Sequence, residues 1–230
     1  QYKISLQDMT NPIYYIDLIS NLEVKITELN KTWTNIYLLV DENTKADCLP
    51  ALMEKVPLLE VANLLVLDPG EEYKTLEICD SLWSSLIDTG ADRKSLLINL
   101  GGGVITDMGG FVASTFKRGI DFIHIPTTLL GQVDAAIGGK TGVNLEYSKN
   151  QVGPFAHPLF TFIDSQFLRT LPQREFMSGM GEVIKYGLIE DKALFELLKD
   201  KESLIANLGT IIKSSTDIKN QYVTTDFKEN

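Results

Sequence analysis

Apolar residues along the chain gather in two textures. In the first, short runs rich in branched side chains stand at 36–40, 64–67, 96–100, 120–125 and 160–163, each closed by a polar residue, a glycine or a proline. Runs this short and this continuous predict strands buried on both faces, as in a parallel sheet. Between two of them Leu76, Cys79, Leu82, Trp83, Leu86 and Ile87 recur at spacings of three and four, and Gly90 follows where a helix would stop. That segment predicts an amphipathic helix. Strand, helix, strand in succession predicts an α/β domain over residues 1–170: a parallel sheet with helices on its faces and ligands beyond the carboxyl ends of the strands. After Thr170-Leu171-Pro172 the second texture begins. Leu194, Leu197, Leu198, Leu204, Ile205, Leu208, Ile211 and Ile212 keep helical spacing with no alternating run. Residues 171–230 therefore predict the first part of an all-α domain, since under ~60 residues make a thin core alone. The ending Asp226-Phe227-Lys228-Glu229-Asn230 carries no closing element, and both it and the start at Gln1 are expected to be trimmed ends.

Composition narrows the partners. With 44% hydrophobic and 23% charged residues in 230, the chain has the makings of a sizeable core and is too apolar for disorder. Lys plus Arg number 21 against 31 Asp plus Glu, a net charge of −10, which disfavours general affinity for nucleic acid or anionic lipid. An anionic ligand must be met by local lysines. Cys48 and Cys79 are too few for a disulfide framework or a cysteine zinc site, and read as reduced thiols. No stretch approaches the ~18 apolar residues of a membrane helix, and residues 1–10 lack the basic start and apolar core of a secretory signal. A cytoplasmic protein is expected, with no membrane or nucleic-acid partner.

Four segments carry candidate chemistry. The run 96–100 passes straight into Gly101-Gly102-Gly103-Val104-Ile105-Thr106-Asp107, a strand meeting a glycine-rich turn and a helix start, where backbone N–H groups can approach a pyrophosphate. The usual dinucleotide fingerprint would need glycine at 106, where Thr106 stands, so this is not the ordinary Rossmann turn. Gly139-Lys140-Thr141 ends like a P-loop, but the first P-loop glycine would fall at Asp134 and no strand directly precedes it, so a Walker A site is rejected. The segment 132–142 is nonetheless small and glycine-rich while carrying Asp134 and Lys140, which suits a backbone crowding a charged ligand. Lys149-Asn150 is expected in a turn. Glu182 and Lys185 stand three apart on one helical face, an arrangement that as a surface pair is worth only ~0.5 kcal/mol. Gly179, Gly181 and Gly187 surround them, and the helical cost of three glycines points to a close-packed, functional stretch. His124, within a strand, reads as a core residue and His157 as a loop residue. Neither has metal-ligand spacing to Glu182, so the chain does not by itself spell a complete metal site.

Taken together, Asp68-Pro69-Gly70-Glu71-Glu72-Tyr73-Lys74, the block 101–107, the block 126–134, Gly138-Gly139-Lys140-Thr141, Lys149-Asn150 and Gly181-Glu182-Val183-Ile184-Lys185-Tyr186-Gly187 resemble the 3-dehydroquinate synthase family in order and spacing, from near residue 36 to the end. The resemblance implies an N-terminal NAD-binding α/β domain and a C-terminal helical domain holding a divalent metal, zinc or else cobalt. It implies that Asp41, Asn43, Glu71 and Lys74 reach the adenosine end of NAD, that Gly103, Val104 and Asp107 surround pyrophosphate and ribose, and that Thr127, Thr128, Lys149, Phe167, Leu168 and Thr170 complete the cofactor site. Arg118, Asp134, Lys140, Asn150 and Lys185 would bind the substrate, and Glu182 would be the first metal ligand. Two further ligands, both histidines, lie in the family downstream of an acidic D-x-x-E stretch like 226–229, where this sequence stops. Thr106, Ser178 and Met180 depart from the family pattern.

The activity so implied converts the sugar phosphate 3-deoxy-arabino-heptulosonate 7-phosphate into 3-dehydroquinate and phosphate, a step of the shikimate pathway. NAD takes a hydride from the carbon of a ring hydroxyl, phosphate leaves by β-elimination, the hydride returns, the ring opens and an aldol step closes the carbocycle. The full-length protein would be a homodimer. The alternatives are another sugar phosphate cyclase, making an inosose or a valiolone; a metal-dependent polyol dehydrogenase; and an inactive NAD-binding fragment lacking metal ligands.

Overall fold

Each of the five apolar runs forms a strand of one sheet. The computed structural model describes residues 14–146 and 148–225. Within them β1 (Tyr14–Ile16), β2 (Ile36–Asp41), β3 (Asn63–Leu67), β4 (Leu96–Gly101) and β5 (Asp121–Pro126) are followed by β6 (Val143–Leu145), β7 (Ser148–Val152) and β8 (Thr161–Ile163). Six of them make an all-parallel sheet in the order β1-β8-β5-β4-β2-β3. β1 was not expected, because three residues are too few to show a period. β6 and β7 form a separate antiparallel hairpin. Lys149 and Asn150 thus lie in a strand and not in the expected turn; β7 is polar and solvated, so no apolar run announced it.

Alternate residues of the strands face opposite layers. Leu38 and Val40 of β2 join one apolar cluster with α1 (Leu22–Glu28), α3 (Leu49–Lys55) and Cys48, which closes α2 (Glu42–Asp47), whereas Tyr37 and Leu39 join another with α4 (Leu76–Asp88) and α5 (Gly103–Thr115). Both faces are covered, which is why the strands read as unbroken apolar runs. The helical segment comprises α6 (Gln173–Ile189), α7 (Lys192–Leu197), α8 (Lys201–Ala206) and α9 (Leu208–Thr225). Its apolar cluster takes in Leu129, Val133, Ile163 and Leu168, so these helices close over the carboxyl edge of the sheet. Ile205, expected on the apolar face, is exposed.

The strand order positions the site. From β2 the chain moves outward to β3, returns to the other side of β2 at β4, and continues to β5. Connections leave β2 and β4 in opposite directions, and a crevice opens between their carboxyl ends, at Asp41 and Gly101. Among the described residues no helix is long and apolar enough to cross a membrane. Residues 1–10, read for a secretory signal, and the acidic stretch at 226–229 lie outside the described residues. Cys48 and Cys79 are free and buried, and burial pushes their thiols up to about 11 and about 12.

Candidate active site

At the crevice, the triple glycine delivers the chain from β4 into α5. Gly102 is the N-cap residue, with extended backbone and no side-chain capping bond, and no acidic residue occupies the first turn. The leading N–H groups of a 13-residue helix are therefore available to an anion. A Cβ on Gly102 would press the Thr128 methyl at 2.8 Å, and one on Gly103 would stand 3.3 Å from Ala135. Only glycine lets this turn lie so close to the loop after β5. Thr106 fits the helix, its hydroxyl donating back to the Gly103 carbonyl at 3.2 Å, so the departure at 106 is absorbed without strain.

The residues assigned to the cofactor by resemblance stand around this turn in different ways. Asp41 caps α2, accepting from Thr44 N–H at 2.7 Å while the Thr44 hydroxyl accepts from Asp41 N–H, and Asn43 is exposed in the same first turn. Thr127 is buried, its N–H donating to the Gly101 carbonyl at 3.0 Å, and the Thr128 hydroxyl accepts from Gly131 N–H at 3.0 Å. Glu71 accepts from the Asn144 amide at 2.8 Å and lies 3.9 Å from the Lys149 ammonium. The Phe167 and Leu168 side chains are sunk in apolar clusters, so these two offer a cofactor only backbone, and Thr170 is exposed beside them.

Beside the turn lies a cleft of about 430 Å³ lined by Asp107, Asp134, Lys140, Asn150, Phe155 and Lys219 among others. Its two carboxylates are tuned in opposite senses. Burial pushes Asp107 up to about 6, against the pull of Lys74, whose ammonium is 2.5 Å away and also donates to Asn150 at 2.5 Å. Burial also raises Asp134, but Lys219 at 2.9 Å, the Tyr186 hydroxyl at 2.8 Å and the charge of Lys185 outweigh it and hold Asp134 below the usual carboxylate range. Burial, then Asp134 itself, lift Tyr186 above the ordinary phenol range. Sequence reasoning missed Lys219 and Tyr186. The available signal was Lys219 falling on the same helical stripe as the buried Ile212, Ser215 and Thr216.

Arg118 does not join them. It is exposed in the turn before β5, at the amino end of that strand, whereas the cleft opens at the carboxyl end, about 20 Å away at the rise of six extended residues. Lys140 stands exposed at the cleft mouth, next to the positive-φ pair Gly138 and Gly139.

Glu182 and Lys185 pair on α6, close enough to Tyr186 and Asp134 for their charges to be felt there. The flanking glycines divide. A Cβ at Gly179 would meet the Leu130 amide nitrogen at 2.6 Å and one at Gly187 would meet Phe195 at 3.1 Å, but Gly181 has nothing within 4 Å. Close packing thus accounts for two of the three. Among the described residues no three His, Cys, Asp or Glu side chains come together to hold a metal ion. His124 is the core residue expected, in contact with Asn99 at 3.2 Å, and burial drops it to about 3; His157 lies against Gly139. The described residues thus fit a dinucleotide at the uncapped helix but do not complete a metal site around Glu182.

Residues 64–178 match the family model for the 3-dehydroquinate synthase N-terminal region, and residues 179–230 the model for its C-terminal region. The chain belongs to the 3-dehydroquinate synthase family. Among curated members, the 3-dehydroquinate synthase of Parabacteroides distasonis is 44% identical over 216 residues, covering 93% of this chain and 60% of the relative. The chain therefore spans about three fifths of that family member's length. Among solved structures, a 2-epi-5-epi-valiolone synthase from Streptomyces hygroscopicus with NAD+ and Zn2+ bound superposes with a TM-score of 0.82 at 27% identity, covering 100% of this chain and 64% of the other. A 2-deoxy-scyllo-inosose synthase complexed with carbaglucose-6-phosphate, NAD+ and Co2+ superposes at 0.75 and 26% identity, covering 95% and 60%. The parallel sheet followed by helices is the fold these cyclases share.

Proposed function

We propose that the protein acts as a 3-dehydroquinate synthase, a carbon–oxygen lyase converting 3-deoxy-arabino-heptulosonate 7-phosphate to 3-dehydroquinate and phosphate with NAD and a divalent metal. One observation carries the reading: the buried Lys74 ammonium donates to both Asp107 and Asn150, which line one cleft, so a residue assigned to the cofactor and one assigned to the substrate share a single cation. The cyclase relatives solved with NAD+ and Zn2+ or Co2+ support the cofactors. Identity of 44% to the curated synthase, against 26–28% to the inosose and valiolone synthases, favours this substrate over theirs.

In this reading residues 1–170 form the NAD-binding domain and 171–230 the first part of the metal- and substrate-binding domain. NAD, when bound, would supply a transient acceptor for the hydride on a ring carbon that bears a hydroxyl, with no net oxidation. The first turn of α5 would hold the pyrophosphate by backbone N–H groups. Lys140 and Lys219 give the cleft the local cations that a phosphate and a carboxylate require on a protein of net charge −10. Asp134, held ionised, accepts a hydrogen bond from a substrate hydroxyl in place of the one it now takes from Tyr186. Glu182 would be one metal ligand, with the remainder supplied from outside the described residues. Arg118 would serve the cleft of a second copy in the expected homodimer.

Phosphate release from the heptulosonate phosphate, compared with glucose 6-phosphate in the presence of NAD and zinc, tests the reading on a protein of the relatives' length. Turnover of the first and not the second is expected. This chain alone is expected to turn over little, because Glu182 by itself would bind a metal weakly.

A further inference from the structure

We infer that Asn144 is the positioning residue that holds the cofactor-side carboxylate Glu71 and the substrate-side Asn150 in one fixed relation, an inference that rests on the NAD reading above. Asn144 lies mid-strand in β6, at the irregularity in its pairing with β7. Its amide nitrogen donates to the Glu71 carboxylate at 2.8 Å, and its amide oxygen accepts from Asn150 N–H at 3.0 Å. The two partners settle the orientation of the amide, since a carboxylate can only accept and a backbone N–H can only donate. Its own N–H donates to the Lys74 carbonyl at 2.8 Å. Lys74 in turn donates from its ammonium to the Asn150 side chain. Lys74, Asn144 and Asn150 thus close a ring of three hydrogen bonds, with Glu71 and Asp107 as its branches.

Asn150 needs such a hold. It has φ of +55°, a left-handed conformation uncommon for a residue with a side chain, in an exposed strand with little packing to impose it. The bond from its N–H to Asn144 keeps the Asn150 amide turned toward Lys74 and the cleft. The same side chain keeps Glu71 from swinging into solvent, where Glu71 is already two-fifths exposed. No shorter or purely acidic side chain can do both, because one partner demands a donor and the other an acceptor.

Asn144→Ala and Asn144→Asp separate the two arms. For each, amide hydrogen exchange at Asn150, melting temperature and calorimetric NAD affinity are measured on this chain. Asn144→Ala is expected to speed Asn150 exchange about tenfold or more and to weaken NAD about tenfold, because Glu71 is no longer held in place before the cofactor binds. Asn144→Asp retains the acceptor but sets a carboxylate against Glu71, so Asn150 exchange stays near that of the unsubstituted chain while NAD affinity falls at least as far. A merely structural role would shift exchange, affinity and melting in parallel in both variants. NAD affinity unmoved in both, or Asn150 exchange unmoved in Asn144→Ala, overturns the inference alone. Failure of the unsubstituted chain to bind NAD overturns the cofactor reading and this inference with it.

Discussion

Two carboxylates about the same cleft respond to opposite influences, and the difference is measurable. For Asp107 burial dominates and lifts the group from 3.8 to about 6. Between those values the folded protein binds more protons than the unfolded chain, so the stability this group contributes falls as pH rises through that window. For Asp134 burial is again the largest single influence, but Lys219, the Tyr186 hydroxyl and Lys185 together outweigh it, so its contribution is present above 3.8 and lost as pH falls through its depressed folded value. Carboxyl carbon NMR titration should show Asp107 turning near pH 6 while Asp134 stays ionised below the usual range. Lys219→Ala should raise Asp134 and leave Asp107 in place. Lys140→Ala should weaken substrate binding about tenfold or more, a charge-assisted bond being worth ~1.5–3 kcal/mol, with NAD affinity kept. Asp134 and Lys140 stood out in the sequence as an acid and a base among glycines, whereas Lys74 and Asn150 were given a role only through the family resemblance. Lys219, Tyr186 and Asn144 were not legible, since each acts through a partner more than 50 residues away or on another element, a relation that no spacing encodes.

The elements of the sheet were legible wherever burial on both faces left an apolar run, as at β2, β4 and β5, each within a residue of its expected ends. β1 and the β6–β7 hairpin escaped because backbone pairing, and not a buried stripe, makes them strands. In α6 the glycines offer a contrast that tests how the helix is seated. Gly179→Ala drives a methyl into Leu129 and Leu130 beneath it and should destabilise by about 1–3 kcal/mol, the cost of overpacking. Gly181→Ala adds a methyl in open space and should stabilise this chain by up to about 1 kcal/mol through helix propensity. Thermal melts of the two variants should therefore move in opposite directions. Equal shifts would mean that α6 does not lie on the turn after β5 as described.

At the scale of the molecule, the fold gathers Lys74, Lys140 and Lys219 of an acidic protein at one edge of its sheet, where the strand order opens a crevice and an uncapped helix begins. The central claim is that this edge is a dinucleotide site joined to a sugar phosphate site. The helical segment contributes Tyr186, Glu182 and Lys219 to it, so the two textures of the sequence meet there. Calorimetric titration of the chain with NAD tests the claim most directly. Saturable binding of one NAD per chain is predicted, accompanied by a rise in stability of about 2.7 kcal/mol at a hundredfold excess over the dissociation constant. Absence of saturable heat, with a melting temperature indifferent to NAD, would contradict it.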